Sequence, residues 1–330
     1  MRDRYNRTID YMRISITDRC NLRCTYCMPQ DIALTPMANL LTYEEIIEIC
    51  RAASEVGISR LKVTGGEPLV RRGCVSLIRQ MKKIRGIEQV TMTTNGVLLG
   101  EYLQELIEAG IDGVNISLDT LDAGRYERIT GRNELQKVLE NIDRAVASDL
   151  KVKLNTVLQA GVNEDEWEQI SRLAEKYPLD VRFIEMMPIG FGKSSSGVSG
   201  ADLLEKMKQV WPDLERETVT HGNGPAVYYH VPGWKGSIGL INAIHGKFCD
   251  SCNRIRLTSM GKLKPCLCYG ETVDLMPILR GNIDAEASAY DLESELKKAI
   301  SEAIAEKPLQ HCFEQGEFVT EESQMVRIGG

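Results

Sequence analysis

The stretch LTYEEIIEICRAASEVGISRLKVTGGEP, residues 41–68, joins a helical pattern directly to a strand pattern. Thr42 and Glu45 have the spacing of a capping box. Apolar side chains then recur on one helical face, at Ile46, Ile49, Cys50, Ala53 and Val56. The β-rich run at 60–66 follows and ends in two glycines. A helix that leads at once into a strand predicts one unit of an α/β fold.

Five other β-rich runs have the same character, and helical patterns separate them. The six runs lie at 11–16, 60–66, 89–96, 113–119, 151–158 and 181–188. Further helices are predicted at 74–84, 101–109, 133–148 and 165–177. This alternation predicts a parallel sheet with helices outside. Because a Gly- and Ser-rich segment at 188–200 follows the sixth unit, we predict an incomplete (β/α)6 TIM-type barrel.

The C-terminal third has a different pattern. A helix is predicted near 200–211, and three later runs favour antiparallel strands: AVYYHVP, SIGLINAI and RIRLTSMGKLKPCL. The last of them should turn at residues 259–261. A helix near 288–305 precedes a tail that we expect to be loose, because its pattern is irregular. We therefore expect a partial barrel at 1–212 and a C-terminal α+β extension at 213–330.

Composition limits the classes of function. The chain has 330 residues, a net charge of −7 and 26% charged residues, which argues against a nucleic-acid or membrane-surface binder. The N-terminus has no apolar segment of a secretory signal, and no apolar run of about 18 residues occurs. We therefore expect a cytoplasmic protein that does not enter a membrane.

Six of the ten cysteines form two trios. Cys20, Cys24 and Cys27 have the spacing C-x3-C-x2-C, and the second trio is Cys249, Cys252 and Cys266. Soft thiolates select zinc or iron–sulfur clusters, and a structural zinc normally has four ligands. Spacing alone leaves both metals open for the first trio. In the second trio, Cys268 would face the same side of a strand as Cys266. Cys268 could therefore be a fourth ligand, and a site with four cysteine ligands is a further possibility.

Polar residues gather in two places on the predicted barrel. Those at the C-terminal ends of the strands are Gly65-Gly66-Glu67-Pro68, Thr94-Asn95-Gly96, Ser117, Asp119, Asn155 and Met187-Pro188. Barrel enzymes carry their chemistry at that rim. Cations also lie inside the β-rich runs, at Arg13, Lys62, Lys153 and Arg182. A charge in a strand covered by helices is costly unless it points inward, so we predict a cationic barrel interior.

The motif CNLRCTYC at 20–27, combined with TGGEP at 64–68, resembles the radical S-adenosylmethionine (SAM) superfamily. The resemblance implies a [4Fe–4S] cluster on the first trio, whose open iron chelates SAM. It also implies that Tyr26, Gly66, Ser117 and Met187 line the SAM site. Glycine at the end of a strand suits this role, because backbone can then approach a cofactor closely.

The whole chain resembles a narrower family, the GTP 3′,8-cyclases of molybdenum-cofactor biosynthesis. The motifs that carry this resemblance are RTIDYMRISITDRCNLRCTYCMP, VTGGEPLVRR, VNISLDTLD, VKLNTVLQAGVN, VRFIEMMP, FCDSCNRIRLTSMGKLKPCL and the terminal MVRIGG. They imply a second [4Fe–4S] cluster, held by Cys249, Cys252 and Cys266, whose open iron contacts the guanine of GTP. They also imply removal of a hydrogen from ribose C3′ and attack of that carbon on guanine C8, the first step of the pathway.

The same resemblance assigns residues to the substrate and to catalysis. Those implied to contact GTP are Arg13, Lys62, Thr93, Lys153, Arg182, Arg254, Ile255 and Arg256. Arg254 and Arg256, with Gly329 and Gly330 of the tail, are implied to assist the chemistry. The chain departs from the family pattern at Lys62, where arginine is usual, and at Cys268, where an aromatic residue is usual.

The resemblance also implies partners. We expect a reductant such as flavodoxin or ferredoxin and hand-over of the product to cyclic pyranopterin monophosphate synthase. The protein would be a monomer or a homodimer. Two alternatives are a two-cluster radical SAM enzyme acting on a peptide and a zinc-stabilised protein without catalysis. The first predicts more C-terminal cysteines, and the second predicts a colourless protein with stoichiometric zinc.

Overall fold

The computed structural model describes residues 1–28, 30–194, 196–281, 289–315 and 318–329. Its strands are β1 (Tyr11–Ser15), β2 (Arg60–Thr64), β3 (Gln89–Thr94), β4 (Gly113–Ser117), β5 (Val152–Val157), β6 (Asp180–Ile184), β7 (Glu215–Arg216), β8 (Val227–His230), β9 (Ile238–Ile241), β10 (Arg254–Leu257), β11 (Lys262–Lys264) and β12 (Val273–Asp274). Its α-helices are α1 (Tyr43–Glu55), α2 (Cys74–Met81), α3 (Leu99–Glu108), α4 (Ala123–Thr130), α5 (Leu135–Val146), α6 (Trp167–Lys176), α7 (Gly200–Val210), α8 (Met276–Arg280), α9 (Ala289–Ala305) and α10 (Met325–Ile328).

All the strands belong to one sheet, in the order β12-β11-β10-β1-β2-β3-β4-β5-β6-β9-β8-β7. Strands β1 to β6 run parallel to their neighbours, which confirms the partial (β/α)6 barrel. The C-terminal strands form the predicted antiparallel pairs, β8 with β9 and β10 with β11. In addition, β10 pairs parallel with β1 and β9 pairs parallel with β6. The extension therefore covers both open edges of the barrel, where unpaired backbone groups would otherwise remain.

Local sequence explains where α1 and α4 form. Thr42 caps α1 as predicted, since its side chain accepts from the Glu45 amide and the Glu45 carboxylate accepts from the Thr42 amide at 2.7 Å.

Helix α4 was not predicted, because it is polar and buries only Tyr126, Ile129 and Thr130. Its signals are at its ends, where Asp122 caps the N-terminus and Gly131 closes the helix in the left-handed region.

The strands end before the β-rich runs do. Strand β2 ends at Thr64 rather than at 66, and β3 ends at Thr94 rather than at 96. The Gly-Gly and Asn-Gly pairs that follow them therefore lie in loops at the rim. Apolar side chains such as Met12 and Ile14 of β1 belong to the core beneath the helices, whereas Arg13 lines the interior of the barrel.

The C-terminal region shares the core of the barrel. Ile238, Leu263 and Ile300 belong to the same apolar cluster as Met12 of β1. The division of the chain at 212 and 213 stays a prediction. Among the described residues, no helix combines the length and apolarity needed to cross a bilayer.

Candidate active site

The first cysteine trio lies on the loop that follows β1. Cys20, Cys24 and Cys27 are partly buried free thiols. A tight turn joins the last two, because the amides of Cys27 and Met28 both donate to the Cys24 carbonyl at 2.9 Å. Burial raises the pKa of Cys24 well above its ordinary value, and the neighbouring Cys27 and Cys20 thiols raise it further. Thiolates at these positions therefore need a positive partner.

The glycine pair after β2 holds this loop in place. The Gly66 amide donates to the carbonyl of Thr17, and the Glu67 amide donates to that of Arg19, both at 2.8 Å. A Cβ atom on Gly66 would lie 2.4 Å from the carbonyl oxygen of Arg19, immediately before Cys20. Only glycine therefore permits this approach of the two backbones.

The Glu67 side chain ties the loop after β2 to the end of β3. Its buried carboxylate accepts hydrogen bonds from the Asn95 amide at 2.6 Å, the Thr94 hydroxyl at 2.9 Å and the Leu69 amide at 3.0 Å. Burial raises the pKa of Glu67 to about 7, and the backbone hydrogen bonds oppose the rise. The Asn95 side-chain amide in turn lies 3.7 Å from the Cys20 Sγ.

The residues assigned to SAM by resemblance all lie at the rim. Tyr26 follows β1, Gly66 follows β2, Ser117 ends β4 and Met187 follows β6. The Tyr26 hydroxyl donates to the Asp119 carboxylate at 2.6 Å, and burial raises the pKa of Asp119 to about 6. From the sequence, Asp119 is predicted only as a residue of the rim. Its contact with Tyr26 spans 93 positions, which only the folded chain could reveal.

A cavity of about 580 Å³ fills the interior of the barrel. Its lining includes most of the residues assigned to the substrate: Arg13, Lys62, Thr93, Lys153, Arg182 and Arg254. The register explains their meeting, since Arg13 pairs with both Lys62 and Arg256 on neighbouring strands. The side chain of Ile255 points into the apolar core instead. Its assignment to GTP therefore concerns at most its backbone.

The cations in this interior repel one another. Burial lowers the pKa of Lys62 well below its ordinary value, and Arg182 and Arg13 lower it further. Burial likewise lowers the pKa of Arg256 well below its ordinary value, and the charges of Arg13 and Arg254 lower it further. Such a cluster is costly until an anion enters, so the cavity suits a polyanionic ligand.

Lys153 has partners that the sequence did not reveal. Its ammonium donates to the Asp180 carboxylate at 2.7 Å, to the Tyr228 hydroxyl at 3.0 Å and to the His221 carbonyl. The His221 ring contacts the other Asp180 oxygen at 3.0 Å and stacks on Tyr228. Asn223 of the same loop bonds to Gln89, the first residue of β3, so the loop covers the N-terminal end of the cavity.

The second cysteine trio lies at the N-terminal side of β10 and after β11. The Cys252 amide donates to the Cys249 carbonyl at 3.1 Å, and Cys266 adds to the negative potential around Cys249. Burial alone would raise the pKa of Cys252, but the charges of Arg254 and Lys307 outweigh it and lower that pKa to about 7. Lys307 also joins the two halves of this loop, because it donates to the carbonyls of Arg254 and Pro265.

Cys268 lies outside a β-strand. Strand β11 ends at Lys264, so residues 266 and 268 do not alternate as the sequence pattern predicted. The Cys268 side chain is fully buried in an apolar cluster that also contains Phe313, Val319 and Ile328. Its Sγ lies 3.1 Å from that of Cys312. Its nearest thiol partner is therefore outside both trios.

The tail is ordered against the mouth of the barrel, contrary to the expectation of a loose segment. Helix α10 buries Val326 and Ile328. Gly329 adopts φ 74°, and its carbonyl accepts from the Arg256 guanidinium at 2.8 Å. A Cβ atom on Gly329 would lie 3.0 Å from Thr64 Cγ2, beside the end of β2. Gly330, the other assigned tail residue, lies outside the described residues.

A buried ion pair anchors the tail, and loss of one partner should lower the stability of the protein. Glu321 contacts Lys264 at 2.5 Å, with side-chain exposures of 3% and 2%. We expect Glu321→Ala to lower the free energy of unfolding by about 3 kcal/mol, because it leaves a buried charge without its partner. Urea denaturation measures this change. The exposed neighbour Glu322→Ala should change stability by less than about 0.5 kcal/mol, and equal losses in both variants would contradict the prediction.

The donor chemistry of both trios fits iron–sulfur clusters. Each supplies three soft thiols, the first trio from the loop after β1 and the second from the segments that flank β10 and β11. Within the part of the chain that the structure describes, no three His, Cys, Asp or Glu side chains form a ready site for a metal ion.

Two family models match the chain in succession. Residues 14–174 match the model described as the radical SAM superfamily, and residues 179–313 match the one described as Molybdenum Cofactor Synthesis C. The first range carries the first trio and most of the SAM-assigned residues. The second carries Met187 and the second trio, together with Arg254 and Arg256.

Curated relatives match over almost their whole length. The GTP 3′,8-cyclase of Clostridium perfringens (strain SM101) is 43% identical over 331 residues, which cover 100% of both chains. The enzyme of the same name from Peptoclostridium acidaminophilum is 44% identical and covers 99% of this chain and 98% of its own.

Solved structures support the fold. Streptococcus suis SuiB bound to S-adenosylmethionine superposes with a TM-score of 0.65 at 14% identity, covering 97% of this chain and 78% of that one. At this identity the likeness concerns the fold alone. The curated relatives, by contrast, are 43% and 44% identical over almost the full length of the chain. The chain therefore belongs to the GTP 3′,8-cyclase family of the radical SAM superfamily.

Proposed function

We propose that this chain converts GTP to (8S)-3′,8-cyclo-7,8-dihydroguanosine 5′-triphosphate, by removing the C3′ hydrogen of the ribose and joining C3′ to guanine C8. The observation that carries the proposal is the cationic cavity inside the barrel, whose lining residue Arg254 follows Cys252 of the second trio by two positions. Arg13, Lys62 and Arg182 bring positive charge to its wall from three different strands. Asp180 of the same wall pairs with Lys153, and a triphosphate would balance the excess of positive charge that remains.

The family's cofactors are two [4Fe–4S] clusters and SAM, and the residues fit them. Cys20, Cys24 and Cys27 would hold the first cluster, and the second trio would hold the other. When bound, these cofactors supply the one-electron chemistry that removes a hydrogen atom. The residues Tyr26, Gly66, Ser117 and Met187 are proposed to position SAM at the rim.

The protein's own part in the reaction is positioning. Arg13, Lys62, Lys153 and Arg182 would fix the triphosphate inside the barrel, which holds the ribose towards the rim. Thr93 on β3 would add a hydroxyl contact from the same wall. Arg254 and Arg256 would orient the nucleotide beside the second trio. A fixed nucleotide favours closure between C3′ and C8 over competing reactions.

The tail would shield this chemistry from solvent. Gly329 lies between Arg256 and the ends of β1 and β2, so the tail lies against the C-terminal ends of these strands. Arg327 fastens the helix to the Ala33 carbonyl at 2.8 Å. We assign Gly329 and Gly330 the task of setting the Arg256 side chain against the bound nucleotide.

Turnover by the reconstituted enzyme tests the proposal. Anaerobic protein with both clusters, a reductant, SAM and GTP should yield the cyclised nucleotide, methionine and 5′-deoxyadenosine. Cleavage of SAM with unaltered GTP would overturn the assignment. Iron analysis distinguishes the proposed enzyme from a zinc-stabilised protein, since two cubane clusters contain about eight irons.

Lys62→Met should shift stability and substrate binding in opposite directions. Removing a charge from the repelling cluster should raise the free energy of unfolding of the ligand-free protein by about 1 kcal/mol. The same change should raise the KM for GTP by about tenfold, because a phosphate loses one cationic contact. Denaturation and steady-state kinetics measure the two effects. Lys83→Met, away from the cavity, is the control, and a loss of stability in Lys62→Met would contradict the prediction.

We further propose the partners that the family's chemistry requires. A small electron-transfer protein, flavodoxin or ferredoxin, would reduce the first cluster, and cyclic pyranopterin monophosphate synthase would take the product. We also propose that the enzyme works in the cytoplasm, as a monomer or a homodimer. Reduction of the first cluster by each candidate, followed by absorbance, distinguishes the donors.

A further inference from the structure

Cys268 and Cys312 form a pair of thiols that the proposed reaction does not use. Their Sγ atoms lie 3.1 Å apart although the residues are 44 positions apart in the chain. Cys268 is fully buried and Cys312 is partly exposed. The remaining cysteines outside the trios, Cys50 and Cys74, are buried in the core on α1 and α2.

The backbone around the pair already brings the two segments together. The Cys312 amide donates to the Cys268 Sγ at 3.3 Å, and the Glu321 amide donates to the Cys268 carbonyl at 3.3 Å. The Cys312 thiol donates to the Phe318 carbonyl at 3.0 Å. A disulfide requires an S–S distance of about 2.05 Å, so the sulfurs need to approach by only about 1 Å. Side-chain rotation can supply this without separating the two segments.

The same place joins the second cysteine loop to the tail. Cys268 lies two residues after Cys266, and its apolar cluster includes Val319 and Ile328, which immediately precedes Gly329. The Glu321–Lys264 ion pair lies in the same region. A covalent bond between Cys268 and Cys312 would therefore add a fixed link at the base of the tail.

We propose that Cys268 and Cys312 are a redox-active dithiol, and that its oxidation to a disulfide fastens the segment beginning at Cys312 to the second cysteine loop. In a reducing compartment the pair stays as two thiols. A small-molecule disulfide oxidises the pair to a disulfide by thiol–disulfide exchange. The more exposed Cys312 thiolate attacks that disulfide and releases one thiol. Cys268 then attacks the mixed disulfide and releases the second. Two cysteine thiols are oxidised, and one small disulfide is reduced to two thiols that carry both protons.

Peptide mapping of the intact holoenzyme tests the bond. Enzyme with both clusters is treated anaerobically with glutathione disulfide, at a level that leaves the cluster absorbance unchanged, then denatured and alkylated. The expected product is a linked peptide pair containing residues 268 and 312, two hydrogens lighter than the free peptides and separated again by a thiol reductant. Free thiols at both positions, or glutathione retained on Cys312, would overturn the proposal.

A matched variant and a second measurement test the fastening. In Cys312→Ser no linked pair can form, while Cys50 and Cys74 remain as internal controls that should be recovered as single alkylated thiols. Oxidation of the parent enzyme should slow amide hydrogen exchange at residues 312–315 and 318–321 by about tenfold, and should not do so in the variant. Unchanged exchange in the oxidised parent, with the bond present, would refute the fastening.

Discussion

Arg256→Ala should lower the rate of GTP cyclisation by about 10²- to 10³-fold while SAM binding and the first cluster persist. The magnitude is that of removing one preorganised donor from a buried site. Arg256 lies on β10 with Arg254, pairs in register with Arg13 and donates to the Gly329 carbonyl. Its loss therefore removes a positive charge that would face the substrate, together with the hydrogen bond to Gly329 in the tail.

Two measurements separate this effect from a general loss of structure. The electron paramagnetic resonance signal of the first cluster, with and without SAM, should match that of the parent. Cleavage of SAM without cyclised product should become the main reaction. Arg51→Ala is the matched control, because Arg51 is exposed on α1 and its guanidinium pairs with the exposed Glu48 of the same helix. Loss of SAM binding in Arg256→Ala would refute the division of sites.

The sequence predicted the site best where chemistry depends on short spacing. Both cysteine trios and the Gly65-Gly66-Glu67-Pro68 segment are local patterns, and the structure places the first trio and that segment in contact through Arg19. The cost of a charge beneath covering helices explains why Arg13 was expected to point inward. These features need only a neighbour within a few residues, so a single sequence suffices to find them.

The sequence could not reveal contacts made between distant segments. Lys153 meets His221 across 68 positions and Asp180 across 27, and nothing in the residues around Lys153 indicates either. The parallel pairing of β10 with β1 was missed for a related reason. A hairpin such as β10–β11 is signalled by its turn, whereas a parallel pair depends on two edges that meet only after the barrel has formed.

The tail shows how tertiary contacts override a local pattern. Residues 317–330 have no regular apolar pattern, and an isolated helix of four residues such as α10 would not persist in water. Val326 nevertheless approaches the position of a Gly66 Cβ to 3.1 Å, and Glu321 finds a buried lysine. The packing surface on the barrel supplies the stability that the segment lacks.

Gly66→Ala should abolish most SAM-dependent activity, because the added methyl group meets fixed backbone on one side and the tail on the other. Its carbon would lie 2.4 Å from the Arg19 carbonyl oxygen and 3.1 Å from Val326 Cγ2. A displacement of only about 1 Å in a site of this kind costs about 10²-fold in rate, and we expect a loss of that size or more. SAM affinity, measured by equilibrium dialysis with the cluster-loaded enzyme, should fall in parallel.

The control for this variant is Gly124→Ala on α4. Its Cβ would meet only the flexible Arg128 guanidinium at 3.4 Å and the Asp122 side chain at 3.5 Å, so SAM affinity should stay at the parent value. Normal SAM binding by Gly66→Ala would show that the cysteine loop can retreat from β2, and it would remove Gly66 from the site. A loss confined to Gly66→Ala would instead tie SAM affinity to the close approach of the Gly66 and Arg19 backbones.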